Sequence, residues 1–436
     1  METWGTWLRE RLGTDSVEDD PEFCRMYALN GIAPVAVAWP DEAQAVADVL
    51  GWASTQGLAV VPWGGGTQQQ GLPAPVRYDL ALSTTRLRRI LEYEPAELVV
   101  TVETGITLAE LATTLAPARQ FWPISLPDPE RATVGGAIAT NAAGPERLRY
   151  GAARDLVLGV TVALADGSLV RGGGKVVKNV AGYDLTRLFT GSWGTLGVIT
   201  SASLRLYPIP PIRQTLVVRC NSWAIAQAAA LKLYGSPLGP HGLTVAPAIE
   251  GVRGRPASLN LFVRFGGLSV TVARQLTEAR ALVQEAGAQP MEVLDGEAEV
   301  ACWEELGRAL AHAPGMLLRV SVLPSRVAEA AQVLSAAAEA EGWPNYVMAH
   351  VGAGTVLAAW DAPPGSTLAS VVTSVRAQIT ALGGWMVLQR AAPQEPPLDY
   401  WGAIPSGIPL LMRKIKAVLD PADTLNPGRF IVKSGR

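Results

Sequence analysis

Gly64, Gly65 and Gly66 run consecutively at the end of the stretch LAVVPWGGGT, and the hydroxyl of Thr67 follows them. Consecutive glycines reach left-handed torsions without a steric penalty, so successive backbone N–H groups can converge on one anion, most simply a phosphate. Two common nucleotide loops fail on spacing: no Lys-Ser/Thr pair closes this loop, and Gly-x-Gly-x-x-Gly is not present in it. A tight turn also needs glycine, so the triglycine alone leaves a plain loop and a phosphate cradle both open. Two further constellations are read the same way. Thr133, Gly135, Gly136 and Thr140 gather small and hydroxyl side chains, as a tight helix start packed on another helix would. Gly191, Gly194 and Gly197 surround Trp193 and Thr195 ahead of Ile199, where a hairpin or bulge would use the same residues. Lys175, Lys178, Asn179, Tyr183 and Asp184 cluster around Gly182 as either a partner-steering patch or a solvated helix entry. His241, His312 and His350 lie in separate contexts and offer no local metal pattern. Cys24, Cys220 and Cys302 are too far apart for a disulfide framework or a Cys-x-x-Cys iron-sulfur module.

The elements that must position these residues are legible in outline. The segment VAVAWP, the helical spacing of Ala45, Val49 and Trp52, and LAVVPW form a βαβ unit that delivers the triglycine loop. LVVTVETG is a strand, and Thr107 with Glu110 has the spacing of a capping box at the next helix start. RDLVLGVTVALADGSLVR alternates around Asp166-Gly167 as a hairpin, and GTLGVITSASLRLY is a strand that PIPP at 208–211 ends. Beyond it, strand-like runs alternate with alanine-rich helices over about 270–286, 325–341 and 366–382. That pattern suggests an antiparallel sheet covered on one face, built from two related βαβ-like halves. With 436 residues, 49% of them hydrophobic, the chain can build large cores. Thirty-six basic and thirty-nine acidic residues leave a net charge of -3, so no global field favours nucleic acid. A mean hydropathy of +0.20 fits either alanine-rich buried helices or an obligate interface. No signal-like start or apolar run of bilayer length is present, so the sequence reads as soluble and cytoplasmic, with no transmembrane segment; any contact with the inner membrane would be peripheral, through partner subunits.

Taken in order, Pro127-Asp128-Pro129 with ATVGGAIATNAAG, Arg149-Tyr150-Gly151, GGKVVKNVAGYDLTRLFTGSWGTLGVIT and LDPADTLNPGRF resemble the FAD-binding domain of the vanillyl-alcohol oxidase and para-cresol methylhydroxylase (PCMH) superfamily. More closely, the chain resembles the FAD-binding subunits of glycolate oxidase complexes. The resemblance implies an α+β fold: an N-terminal helical extension over 1–26, a PCMH-type FAD-binding domain over 27–211 with subdomains at 27–92 and 93–211, an α+β cap domain over 212–390, and a loop, helix and tail over 391–436 that pack back on the flavin domain. Pro62, Gly64, Gly65, Gly66, Thr67 and Gln68 match the pyrophosphate loop. Pro127, Asp128, Thr133, Gly135, Gly136 and Thr140 match a second flavin-facing segment. Gly194, Gly197 and Ile199 match the segment whose backbone approaches the adenine, and Asn426 the tail near the flavin. A diphosphate is a natural guest for a row of backbone donors.

Two departures from the family pattern carry weight. Relatives that attach FAD covalently do so through a histidine after the glycines, where this chain has Thr67, Gln68, Gln69 and Gln70, so noncovalent FAD is expected. HVGAGTVL at 350–357 stands where catalytic relatives resemble His-Ala-Gly-Asp-Gly-Asn-Leu-His, with Ala353, Thr355 and Leu357 at the later polar positions. The family reaction moves the 2-hydroxyl proton to a base and hydride from C2 to flavin. This makes His350 a candidate base and Arg264, Arg319 and Arg390 candidate carboxylate anchors. The function that the resemblance implies first is an FAD-binding subunit of a heteromeric glycolate-oxidising complex with a related catalytic flavoprotein and an iron-sulfur subunit; the alternatives are an autonomous FAD-dependent 2-hydroxy-acid dehydrogenase and a structural subunit without flavin.

Overall fold

The computed structural model describes residues 4–174, 183–247, 259–366, 368–391 and 398–430. They divide into two units, the first drawn from residues 1–144, 152–209 and 403–436 and the second from 145–151 and 210–402. In the first, β1 (Val17–Glu18), β2 (Ala36–Ala38), α1 (Ala43–Gln56), β3 (Val60–Trp63) and β4 (Leu80–Ser83) build a sheet of order β1-β2-β4-β3. β2 and β3 both run parallel to β4, so the βαβ crossover skips one strand position. Val46, Val49, Leu50 and Ala53 bury one face of α1 on this sheet, and Gly57 ends the helix at a φ of 67°, where a β-carbon would be strained.

A second sheet follows from β5 (Ile90–Glu94) and β6 (Val99–Glu103), then α2 (Leu108–Leu115), α3 (Val134–Ala139), β7 (Val157–Ala163), β8 (Leu169–Gly173) and β9 (Val198–Arg205). Its order is β5-β6-β9-β7-β8 and every pairing is antiparallel. The Thr107–Glu110 capping box forms in both directions at α2, and Asp166-Gly167 turns β7 into β8, with Asp166 accepting from the Ser168 N–H. Leu111, Leu115, Val134 and Ile138 pack over Val100, Val160, Val162 and Leu204, giving this sheet its own core.

The second unit is one eight-stranded antiparallel sheet. Its strands are β10 (Ile212–Cys220), β11 (Gly242–Pro247), β12 (Leu259–Gly267), β13 (Gln289–Asp295), β14 (Met316–Ser321), β15 (Asn345–His350), β16 (Thr355–Trp360) and β17 (Trp385–Arg390), in the order β13-β10-β12-β11-β15-β16-β14-β17. With α4 (Trp223–Tyr234), α5 (Ser269–Glu285), α7 (Val327–Ala340) and α8 (Leu368–Ala381), each half reads β-α-β-β-α-β, so two ferredoxin-like halves join edge to edge between β11 and β15. These four helices cover one face and share its core with Leu261, Val263, Leu318 and Val356. The connecting helix α6 (Gly296–Ala311) lies on the opposite face against Val217, Phe262 and Met348. The chain then re-enters the first unit through α9 (Ile408–Leu419).

Candidate functional site

A partly open cavity lies in the first unit at the end of β3. Pro62, Gly64, Gly65, Gly66, Thr67 and Gln68 form one wall, Thr133, Gly135, Gly136 and Thr140 a second, and Gly194, Gly197 and Ile199 a third. Close approach explains the glycines. A β-carbon on Gly65 would lie 1.7 Å from the Arg131 carbonyl oxygen and one on Gly64 2.3 Å from Thr133 Oγ1, while Gly66 has a φ of +75° over the Trp63 ring. In this pose the N–H groups of Gly65, Gly66, Thr67 and Gln68 donate to nothing among the described residues. Four successive orphan donors on a partly open loop match what a diphosphate would need. Trp63, Leu72 and Val198 supply apolar surface to the same cavity. The residues present therefore fit FAD.

Pro127 and Asp128 fall outside the cavity wall. Asp128 takes a φ of 53° and its carbonyl accepts from the N–H groups of Arg131 at 2.9 Å and Ala132 at 2.8 Å, a turn that aims the chain at Thr133. Thr133 Oγ1 then caps α3 by accepting from Gly136 N at 3.1 Å. Asn426 also stands behind the wall: its Nδ2 donates to the Trp193 carbonyl at 2.9 Å and its Oδ1 accepts from Arg429 at 3.1 Å. Of the polar cluster near Gly182, Lys175, Lys178 and Asn179 lie outside the described residues. Tyr183 is exposed, and Asp184 caps the short helix Leu185–Phe189, accepting from Arg187 N at 3.0 Å.

Two tail residues that sequence reasoning missed hold the cavity from behind. The buried Arg429 donates to the Pro73 carbonyl, to Gln69 Oε1 at 2.8 Å and to the Gln69 carbonyl, fixing the chain just beyond the glycines. Lys416 on α9 donates to the Thr195 and Leu425 carbonyls at 2.9 and 2.8 Å and to Asp420 at 2.6 Å. The only advance signal for either was a cation beside a motif: Arg429 in NPGRF, and Lys416 four residues before Asp420.

Residues 34–173 match the family model described as FAD binding domain, and residues 210–386 with 409–430 match FAD linked oxidases, C-terminal domain. The chain is a PCMH-type FAD-binding oxidoreductase. It is 28% identical over 427 residues to the glycolate oxidase subunit GlcD of Bacillus subtilis, covering 92% of this chain and 90% of that protein. It is also 28% identical to the mitochondrial D-lactate dehydrogenase [cytochrome] of Arabidopsis thaliana, over 98% of this chain and 79% of that one. The same fold is found in p-cresol methylhydroxylase with substrate bound, with a TM-score of 0.77 at 16% identity over 99% of this chain and 98% of that chain. FAD is noncovalent in this oxidoreductase; Thr67, Gln68, Gln69 and Gln70 follow the glycines where a histidine would be needed for attachment.

The flavoprotein's second unit carries a polar patch on the α6 side of its sheet, and the four side chains proposed for substrate chemistry have separate situations there. Arg264 is spent on structure: it donates to Glu299 at 2.7 and 2.8 Å, approaches Glu146 at 3.5 Å and lies over the Trp303 ring. Arg390 is also engaged, donating to the carbonyls of Ala311, Ala313 and Gly315 at the end of α6, where a helix leaves its acceptors unsatisfied. Arg319 differs. It makes no hydrogen bond or ion pair among the described residues, and burial together with the nearby charge of Arg147 weakens its hold on its proton. His350 sits at the seam of the two halves, paired in register with Thr244, whose Oγ1 is 2.9 Å from His350 Nδ1. Its pKa is pushed down to about 4, by burial first and then by the charges of Arg319 and Arg147. Thr355 lies opposite His350 and Leu357 opposite both Met348 and Arg319, so the departures from the family pattern are neighbours of this cluster. Among the described residues no group of three His, Cys, Asp or Glu side chains is placed to hold a metal.

Proposed function

We propose that the chain is an FAD-dependent 2-hydroxy-acid dehydrogenase that turns over without a partner flavoprotein. The observation that carries this reading is His350: a half-buried imidazole, neutral at physiological pH, hydrogen-bonded at Nδ1 and accompanied by a guanidinium with no acidic partner. With Nδ1–H donated to Thr244, Nε2 offers a lone pair to the substrate hydroxyl, and Arg319 binds the carboxylate. FAD, when bound, supplies the two-electron acceptor. Relatives named for glycolate, D-lactate and D-2-hydroxyglutarate oxidation support the substrate class. The test is anaerobic mixing of the purified yellow protein with each of these acids. Bleaching of the flavin band near about 450 nm is expected with at least one acid, and His350→Asn should slow it by roughly 100-fold or more with FAD content unchanged. No bleaching by any of them would overturn the reading.

A second reading, an FAD-binding subunit of a heteromeric glycolate-oxidising complex with a catalytic flavoprotein and an iron-sulfur subunit, draws support from Ala353, Thr355 and Leu357. It expects bleaching only after both partners are added. Among the described residues no helix is long and apolar enough to cross a membrane, and we place the protein in the cytoplasm.

A further inference from the structure

We propose that Arg147 and Arg319 together form a dianion site, so that the preferred substrate is a 2-hydroxy acid bearing a second carboxylate rather than glycolate or lactate. This rests on the 2-hydroxy-acid reading and sharpens it. The patch around His350 has two parts with different charge balance. In one, Arg264 and Arg213 act on Glu146, and Arg264 is bonded to Glu299 as well, so two cations face two carboxylates. In the other, the charges of Arg147 and Arg319 act on each other and on His350, and neither guanidinium has an acidic partner or a hydrogen bond among the described residues. His350 brings no charge that could offset them.

Both guanidiniums are carried on held backbone. Arg319 lies mid-strand on β14, opposite Leu357 of β16, which in turn opposes Met348, two residues from His350 on the same face of β15. Arg147 begins the short helix Arg147–Tyr150, and three residues around it are engaged: Glu146 approaches Arg264, Leu148 fills the space where Gly352 lacks a β-carbon, and the Tyr150 ring meets the edge of His241. Two like charges held near each other without a counter-ion are unfavourable, the more so where one is largely shielded from water, and an anion relieves the penalty. A monocarboxylate offsets one charge and leaves the other. A dicarboxylate offsets both, one carboxylate on each arginine, and so gains the larger share of the available attraction.

The experiment measures binding of non-oxidisable acids to the FAD-loaded protein by calorimetry, comparing malonate, succinate and glutarate with acetate, propionate and butyrate. The expected result is a Kd about tenfold or more lower for the best dianion than for the best monoanion, as close buried charge pairs provide. Arg147→Gln and Arg319→Gln should each bring that ratio close to one, and Arg147→Lys should restore part of it. Arg147 is only half-buried, so its variants read the ratio even where Arg319→Gln fails to fold. Equal affinities, or a preference unmoved by Arg147→Gln, would overturn the proposal. The two readings fail separately: flavin bleaching by monocarboxylates without dianion preference removes only the dianion site, whereas dianion preference without bleaching by any 2-hydroxy acid removes the oxidation.

Discussion

At His350 the same burial that keeps the ring neutral should mark the protein's acid stability. The folded pKa of about 4 lies below the roughly 6.5 of an exposed histidine, so the unfolded chain takes up its proton first as pH falls. The stabilising contribution is therefore complete above about pH 6.5 and is lost as pH drops toward about 4; at full strength it is on the order of 3 kcal/mol. Thermal midpoints measured across this window should fall more steeply for the native protein than for His350→Asn, and parallel curves would contradict this. Residue type could not separate His350 from His241 or Arg319 from Arg264 and Arg390, because their roles depend on partners distant in sequence. Glu299 takes Arg264 and the carbonyls after α6 take Arg390, and no local pattern announces either. Arg147 went unnoticed for the same reason, although it lies two residues before the Arg149-Tyr150-Gly151 motif. Glycine is easier to read. A β-carbon at Gly197 would come 2.5 Å from Val162 Cγ1, whereas Ile199 presents its backbone, its carbonyl accepting from Thr104 Oγ1. Gly197→Val should then cost about 1–3 kcal/mol and most of the bound FAD. Ile199→Val should retain FAD, and equal losses in cofactor titration would refute the distinction.

Among elements, those governed by short-range chemistry were legible and those governed by pairing were not. The capping box at α2, the Asp166-Gly167 hairpin and the glycine end of β3 are each written within a few residues. The placement of β4 between β2 and β3, and of α6 on the face opposite α4, α5, α7 and α8, depends on contacts that periodicity does not encode. The loop after β3 shows how element and tail share one task. The glycines make the orphan N–H groups possible, but the buried guanidinium of Arg429 holds the Gln69 end of that loop in place. Arg429→Met keeps the volume and leaves several acceptors unsatisfied, a loss of about 2–4 kcal/mol. FAD affinity should fall by roughly tenfold or more, with the flavin spectrum of the remaining holoprotein unchanged. An unaltered FAD Kd would show that the loop keeps its shape without this tether.

The chain leaves the first unit at Pro210 and returns to it at Ala403, so that unit is completed only by a segment that follows the second unit. The returning segment works as structure: Val60 N donates to the Thr424 carbonyl at 2.7 Å and Asn426 N donates to the Val60 carbonyl at 2.9 Å, extending the sheet beyond β3. Leu425 is fully buried in the α1 core, and Lys416 reaches from α9 to the carbonyl of Thr195, the residue after Gly194 of the cavity wall. Cutting the chain after Gly402 therefore removes a sheet edge, a core side chain and the tethers of two cavity walls together. A protein ending there should express without flavin colour and bind added FAD at least about 100-fold more weakly, since several buried acceptors and a core leucine are lost at once. Supplying residues 403–436 as a separate peptide should restore part of the colour, because the lost interactions are noncovalent. Stoichiometric FAD in the shortened protein would mean that the cavity is set by the N-terminal segments alone, and the contacts of Asn426, Arg429 and Lys416 would then be incidental to cofactor binding.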